Sequence, residues 1–138
     1  MGTQNKPIKA LGEIALRVTD LDAMQKFYEE TIGLEVMKRF PHDVFFKIAE
    51  GYGGHTQILA LFDCTQEAGY RGVEPEKSTL HHFAFTISLT DFDGEKKRLE
   101  QLGLNVETAE HAWVHWRSLY VRDPEGNLVE LVCYNEGV

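Results

Sequence analysis

Three side chains able to hold a metal ion stand among four positions that the chain's own repeat singles out. His82 lies in TLHHFAFTI, Glu130 in LVELVC and Glu13 in EIALRV. Neutral imidazole offers a nitrogen and each carboxylate an anionic oxygen. One histidine and two glutamates would neutralise a divalent cation and leave coordination sites open for water or substrate. Glu130 carries the strongest signal, because a carboxylate inside an otherwise apolar strand costs several kcal/mol to bury unless a cation or hydrogen bonds meet it. Taken singly, a histidine on a strand such as His82 is usually a hydrogen-bonded core or surface residue. Glu13 reads equally as a solvated residue at a strand start, or as a partner of Arg17 on the same strand face. Arg17 in turn suits an anionic substrate.

What singles out these positions is an internal repeat, in which Glu13 corresponds to His82 and Ala60 to Glu130. EIALRVTDLD and HFAFTISLTDFD each read as a short strand followed by a helix start, with Asp20 placed as the first N-cap. In the first strand Ile14, Leu16 and Val18 oppose Glu13, Ala15 and Arg17. In the second, His81, Phe83, Phe85 and Ile87 oppose His82, Ala84 and Thr86. An amphipathic helix follows each strand, with stripes predicted at Leu21, Met24, Phe27 and Tyr28, and at Phe92, Leu99 and Leu102. Each helix stops at a glycine, Gly33 or Gly103, where a left-handed backbone ends the helix. The offset is 69 residues from Glu13 to His82 and 70 from Gly33 to Gly103.

The closing strands QILALF (57–62) and NLVELV (127–132) keep the offset of 70, so Ala60 corresponds to Glu130. The predicted architecture is α+β: two βαβββ modules, about 8–63 and 79–134, within a single domain spanning 1–138. CTQEAGYRGVEPEKS (64–78), with its glycines, charges and Pro75, reads as the linker. RDPEGN reads as the hairpin turn between SLYVR and NLVELV. Pairing the modules about a pseudo-twofold axis would bring Glu13, Ala60, His82 and Glu130 together.

Composition narrows the partners. With 138 residues, 43 % of them apolar, the chain can bury one sizeable core. A formal charge of −8 argues against nucleic acid and anionic membrane surfaces, which draw their affinity from clustered Lys and Arg. No segment approaches the ~18 apolar residues of a membrane span, and MGTQNKPIKALGE has no signal-peptide core. Cys64 and Cys133 make no disulfide framework, which points to a reducing, cytoplasmic setting.

The strings EIALRVTDLDAMQKFYEETIGL, HHFAFTIS and RDPEGNLVELVCY resemble the vicinal oxygen chelate superfamily of glyoxalase I, extradiol dioxygenases, fosfomycin-inactivating thiol transferases and bleomycin-resistance proteins. The resemblance covers nearly the whole chain and implies a cup of curved mixed sheet with a metal at its base. The ligand positions it implies fall on Glu13, Ala60, His82 and Glu130. Ala60 cannot bind metal, so the four-ligand pattern of glyoxalase I is incomplete. The remaining three positions are laid out as in the dioxygenases and thiol transferases, with Glu13 where those generally carry histidine. An oxygen-rich set favours Mn²⁺, Fe²⁺ or Mg²⁺, with Zn²⁺ and Ni²⁺ still admissible.

The resemblance further implies a small-molecule substrate with adjacent oxygens, a metal acting as Lewis acid, and Glu130 at the reacting centre. It also implies a homodimer, an arrangement in which the family often shares each site between subunits. Arg17, Thr86, Trp113, Trp116 and Tyr120 are the candidate substrate contacts, the tryptophans suiting a flat or apolar group. Within ETAEHAWVHWR (107–117) the same aromatics suit a hairpin packed on the other module or a second subunit. Two other readings stay open: a non-catalytic binding protein of the bleomycin-resistance kind, and a structural ion network of Glu13, Arg17 and Glu130.

Overall fold

The computed structural model describes residues 6–70, 72 and 74–138. Residues 1–5, and Arg71 and Val73 of the expected linker, lie outside the described residues. The chain forms two compact units that divide after residue 72.

In the first unit the order is β1 (Glu13–Val18), α1 (Leu21–Lys26), a π-helical continuation (Phe27–Ile32), β2 (Glu35–Arg39), β3 (Asp43–Ala49) and β4 (Gln57–Asp63). The second unit has β5 (Phe83–Thr86), α2 (Leu89–Gln101), β6 (Glu107–His111), β7 (Trp116–Arg122) and β8 (Leu128–Tyr134). Short 3₁₀ turns at Cys64–Gln66 and Pro75–Lys77 lie in the connection. The sheets run β1-β4-β3-β2 and β5-β8-β7-β6. In each, the opening strand is parallel to the closing strand and the remaining pairs are antiparallel. These are the two βαβββ modules of the α+β fold predicted from the repeat.

The registers repeat as well. Ala15 opposes Ala60 in the first sheet and Ala84 opposes Glu130 in the second, so the offsets read from sequence recur rung for rung. Alternation decides what each face does. In the first unit Leu16, Val18, Val44, Phe46, Leu59 and Leu61 are buried beneath Leu21, Met24, Phe27 and Tyr28. In the second, Phe85, Leu119, Val121, Val129, Leu131 and Cys133 form the core with Phe92 and Leu99. Each such side chain contributes about 1.5–3 kcal/mol when fully buried.

The helix ends follow their local chemistry. Asp20 caps α1 by accepting from the Ala23 N–H at 3.1 Å. Gly33 (φ 94°) and Gly103 (φ 87°) take the left-handed conformation that ends each helix. Two sequence expectations change. The first helix is not α-helical throughout: it widens after Lys26, with Gly33 N–H reaching back to the Tyr28 carbonyl, and the consecutive Phe27 and Tyr28 both enter the core. Leu102, assigned to the second stripe, is exposed because it is the C-cap residue of α2, beyond the last turn that faces the sheet.

The β7–β8 turn is held by Asp123. Its Oδ1 accepts from the N–H groups of Glu125 and Asn127, and its Oδ2 accepts from the Asn127 side-chain amide at 2.8 Å. This turn fixes the register that sets Tyr120 opposite Glu130. No helix among the described residues is long and apolar enough to cross a membrane.

Candidate functional site

Glu130 sits in the middle of β8, between Val129 and Leu131, which point to the helix side. Its own side points the other way, where its neighbours are Ala84 on β5 and Tyr120 on β7. Only 8 % of the side chain is exposed, so its carboxylate depends on partners within the protein. Both oxygens have one. The Ser118 hydroxyl, fully buried, donates to Oε2 at 2.5 Å, and Nε2 of His82 lies 3.1 Å from Oε1. His82 reaches this oxygen from a position two residues before Ala84, the diagonal approach that a long side chain makes across neighbouring strands.

Tyr120 completes the cluster. Its ring lies edge-on to that of His82 at 6.3 Å, and its hydroxyl is 3.2 Å from Nε2 of His111. Burial first, and the charge of Glu130 second, push the Tyr120 phenol above its ordinary pKa. At neutral pH it is therefore a proton-bearing hydroxyl beside a carboxylate, able to donate to an anionic oxygen.

The donor set suits a cation. Ligands about 2.1 Å from one ion and at right angles lie about 3.0 Å apart, and His82 Nε2 and Glu130 Oε1 are 3.1 Å apart. Ser118 leaves Oε1 the oxygen turned toward the imidazole. Within either unit, among the described residues, no group of three or more His, Cys, Asp or Glu side chains gathers as a cation site. Glu13 belongs to the first unit. It is exposed at the start of β1 opposite Ile58, on the face that also carries Ala15, Arg17 and Ala60.

Ala60 is fully buried and opposes Phe45, which stacks edge-to-face with Phe40 and Phe62 at 5.9 Å each. The first unit therefore carries an aromatic ladder at the place where the second carries Glu130 and Tyr120.

The remaining candidates are distributed unevenly. Thr86 is exposed on β5 opposite Val132, one rung pair beyond Glu130 on the same face. Arg17 is 76 % exposed and turns to Glu67 at 3.2 Å rather than to Glu13. Trp113, 84 % exposed, and Trp116 lie at the β6–β7 connection with rings 6.4 Å apart. Trp116 is four residues from Tyr120, about 13 Å along the strand, so the structure does not bring the pair to His82 and Glu130.

His81 is the clearest correction. Placed by strict alternation with Phe83 and Phe85, it is instead exposed, with Nδ1 2.8 Å from Nδ1 of His82. Alternation fails there because β5 begins only at Phe83. Ser118 was missed altogether. The available signal was its place two residues before Tyr120, on the strand facing NLVELV.

The family model of the Glyoxalase/Bleomycin resistance protein/Dioxygenase superfamily matches residues 10–131, and the chain belongs to that superfamily. It is 27 % identical over 124 residues to a glutathione transferase, FosA, of Serratia marcescens, covering 90 % of this chain and 80 % of that one. It is 29 % identical over 126 residues to the fosfomycin resistance protein FosX of Listeria innocua, covering 90 % and 89 %. A lactoylglutathione lyase structure from Agrobacterium tumefaciens matches with a TM-score of 0.71 and 35 % identity, covering 93 % of this chain and 96 % of that one.

Proposed function

We propose that this protein is a divalent-metal-dependent enzyme acting on a small molecule that presents adjacent oxygens. The observation that carries the proposal is the approach of His82 Nε2 to Glu130 Oε1 at 3.1 Å beside a buried, Ser118-held carboxylate. Glu13, His82 and Glu130 would hold one ion, which when bound would supply Lewis-acid stabilisation of developing oxyanion charge. The ligand set of two carboxylates and one imidazole favours Mn²⁺, Fe²⁺ or Mg²⁺ over Zn²⁺ and Ni²⁺.

The chain's own residues supply the rest. Tyr120, kept protonated by burial and by Glu130, donates to a substrate oxygen. Glu130 sets the charge at the reacting centre while Ser118 fixes its orientation. Thr86 and Arg17 are proposed substrate contacts, Arg17 exchanging Glu67 for an anionic group. Trp113 and Trp116 suit the far end of an extended substrate, or a second subunit. We propose a homodimer working in a reducing, cytoplasmic compartment, where the buried thiols of Cys64 and Cys133 are stable.

The relatives direct the choice of first substrates: fosfomycin, with and without glutathione, and lactoylglutathione. The test is turnover of these by metal-supplied protein and by the H82A variant. Metal-dependent turnover of any one, lost in H82A, is the expected result. Ligand binding of unchanged affinity after chelation, with no turnover, would replace this reading with the non-catalytic one.

A further inference from the structure

A cation that takes the Nε2 lone pair of a histidine requires the ring's proton on Nδ1, and an acceptor for that proton fixes both tautomer and ring orientation. The carboxylate of Glu130, facing Nε2 of His82 at 3.1 Å, would by itself favour the opposite tautomer, with the proton on Nε2. Something on the other side of the ring must therefore compete for it. The group there is His81, whose Nδ1 lies 2.8 Å from Nδ1 of His82, with the two rings at 77°. Two ring nitrogens at that distance share one proton, one donating and one accepting.

The contact depends on backbone that is not yet strand. In a regular strand, successive side chains point to opposite faces, and the rings of neighbouring residues could not meet. His81 and His82 precede Phe83, the first residue of β5. Immediately afterwards the alternation sets in, and it carries Ala84 to its place opposite Glu130.

We infer that His81 is a positioning residue: its Nδ1 accepts the proton of His82 Nδ1 and so holds the His82 ring with its Nε2 lone pair turned to the cation site. The inference rests on the metal reading above and names a residue outside the ligand set. His81 must then carry its own proton on Nε2. It also lines a cavity of about 270 Å³ with Glu76, Leu80 and Arg122.

The test titrates Mn²⁺ alone into wild type, H81A, H81N and H82A, reading free Mn²⁺ by electron paramagnetic resonance. Removing an outer partner of a ligating histidine lowers metal affinity roughly 10–100-fold, and that loss is expected in H81A. H81N, whose side-chain oxygen accepts at a similar reach, is expected to recover most of it. In the Zn²⁺-loaded wild type, long-range ¹H–¹⁵N spectra are expected to show the proton on Nδ1 of His82 and on Nε2 of His81. Wild-type affinity in H81A alongside lost binding in H82A would overturn the role of His81 and leave the metal reading standing. Equal losses in H81A and H81N would overturn it too, since they would mark packing rather than acceptance. Absence of metal uptake by wild type would remove both.

Discussion

Replacing Ser118 with alanine removes one atom and leaves the Oε2 oxygen of a buried carboxylate without its donor. Ser118 is fully buried and the Glu130 side chain is only 8 % exposed, so water has little access to replace the bond. A hydrogen bond to a charged group contributes about 1.5–3 kcal/mol, and a neutral one about 0.5–1.5. S118A is therefore expected to cost about 2 kcal/mol in the wild-type background and about 1 kcal/mol where Glu130 is already glutamine. The difference, about 1 kcal/mol, is the part due to charge, isolated by the double-mutant cycle. Urea unfolding of wild type, S118A, E130Q and S118A/E130Q measures all four corners. Equal costs in the two backgrounds, or a cost below about 0.5 kcal/mol in wild type, would refute the claim that Ser118 stabilises an ionised Glu130.

Other outcomes follow from the same geometry. The raised pKa of Tyr120 means that its contribution to stability is intact below the ordinary phenol value of 10.0 and is lost as pH rises through the folded value. In alkaline absorbance titrations, the difference between wild type and Y120F should therefore show ionisation above 10.0, moving down part of the way in E130Q because burial is the larger cause. D123A removes the acceptor of three hydrogen bonds in the β7–β8 turn and should cost about 2–3 kcal/mol in urea unfolding; a loss under about 1 kcal/mol would show that the strands alone set the register. R17A breaks an exposed ion pair with Glu67 and should leave stability within about 0.5 kcal/mol while raising KM for an anionic substrate; an unchanged KM removes Arg17 from the substrate contacts.

The repeat was legible because its signals are local and redundant. Asp20 before a helix, Gly33 and Gly103 after one, and apolar residues at alternate positions of Glu13–Val18 and Phe83–Thr86 each have one favoured structural meaning. Glu130 stood out because a carboxylate between Val129 and Leu131 must be explained by partners.

What escaped depends on where elements begin and end. Alternation assigned His81 to the wrong side because it holds only once Phe83 starts the strand. Helical periodicity assigned Leu102 to the core although the helix itself ends one position earlier, at Gln101. Periodicity also gave no sign of the π-helical Phe27–Ile32, since a wider turn keeps an apolar stripe while changing its pitch. Ser118 escaped because a small hydroxyl in a strand has no pattern of its own; only pairing with the Glu130 strand gives it a role.

The proposed cation site has three donors, His82 and Glu130 with Glu13 as the third. Elemental analysis of chelator-free protein supplied separately with Mn²⁺, Fe²⁺, Ni²⁺ and Zn²⁺, in wild type, E13A, H82A and E130Q, with circular dichroism to confirm folding, tests that site. About one ion per chain is expected in wild type and substoichiometric metal in each folded variant, because no pair of the three donors suffices. Stoichiometric metal retained in any folded variant, E13A included, or none taken up by wild type, would contradict it.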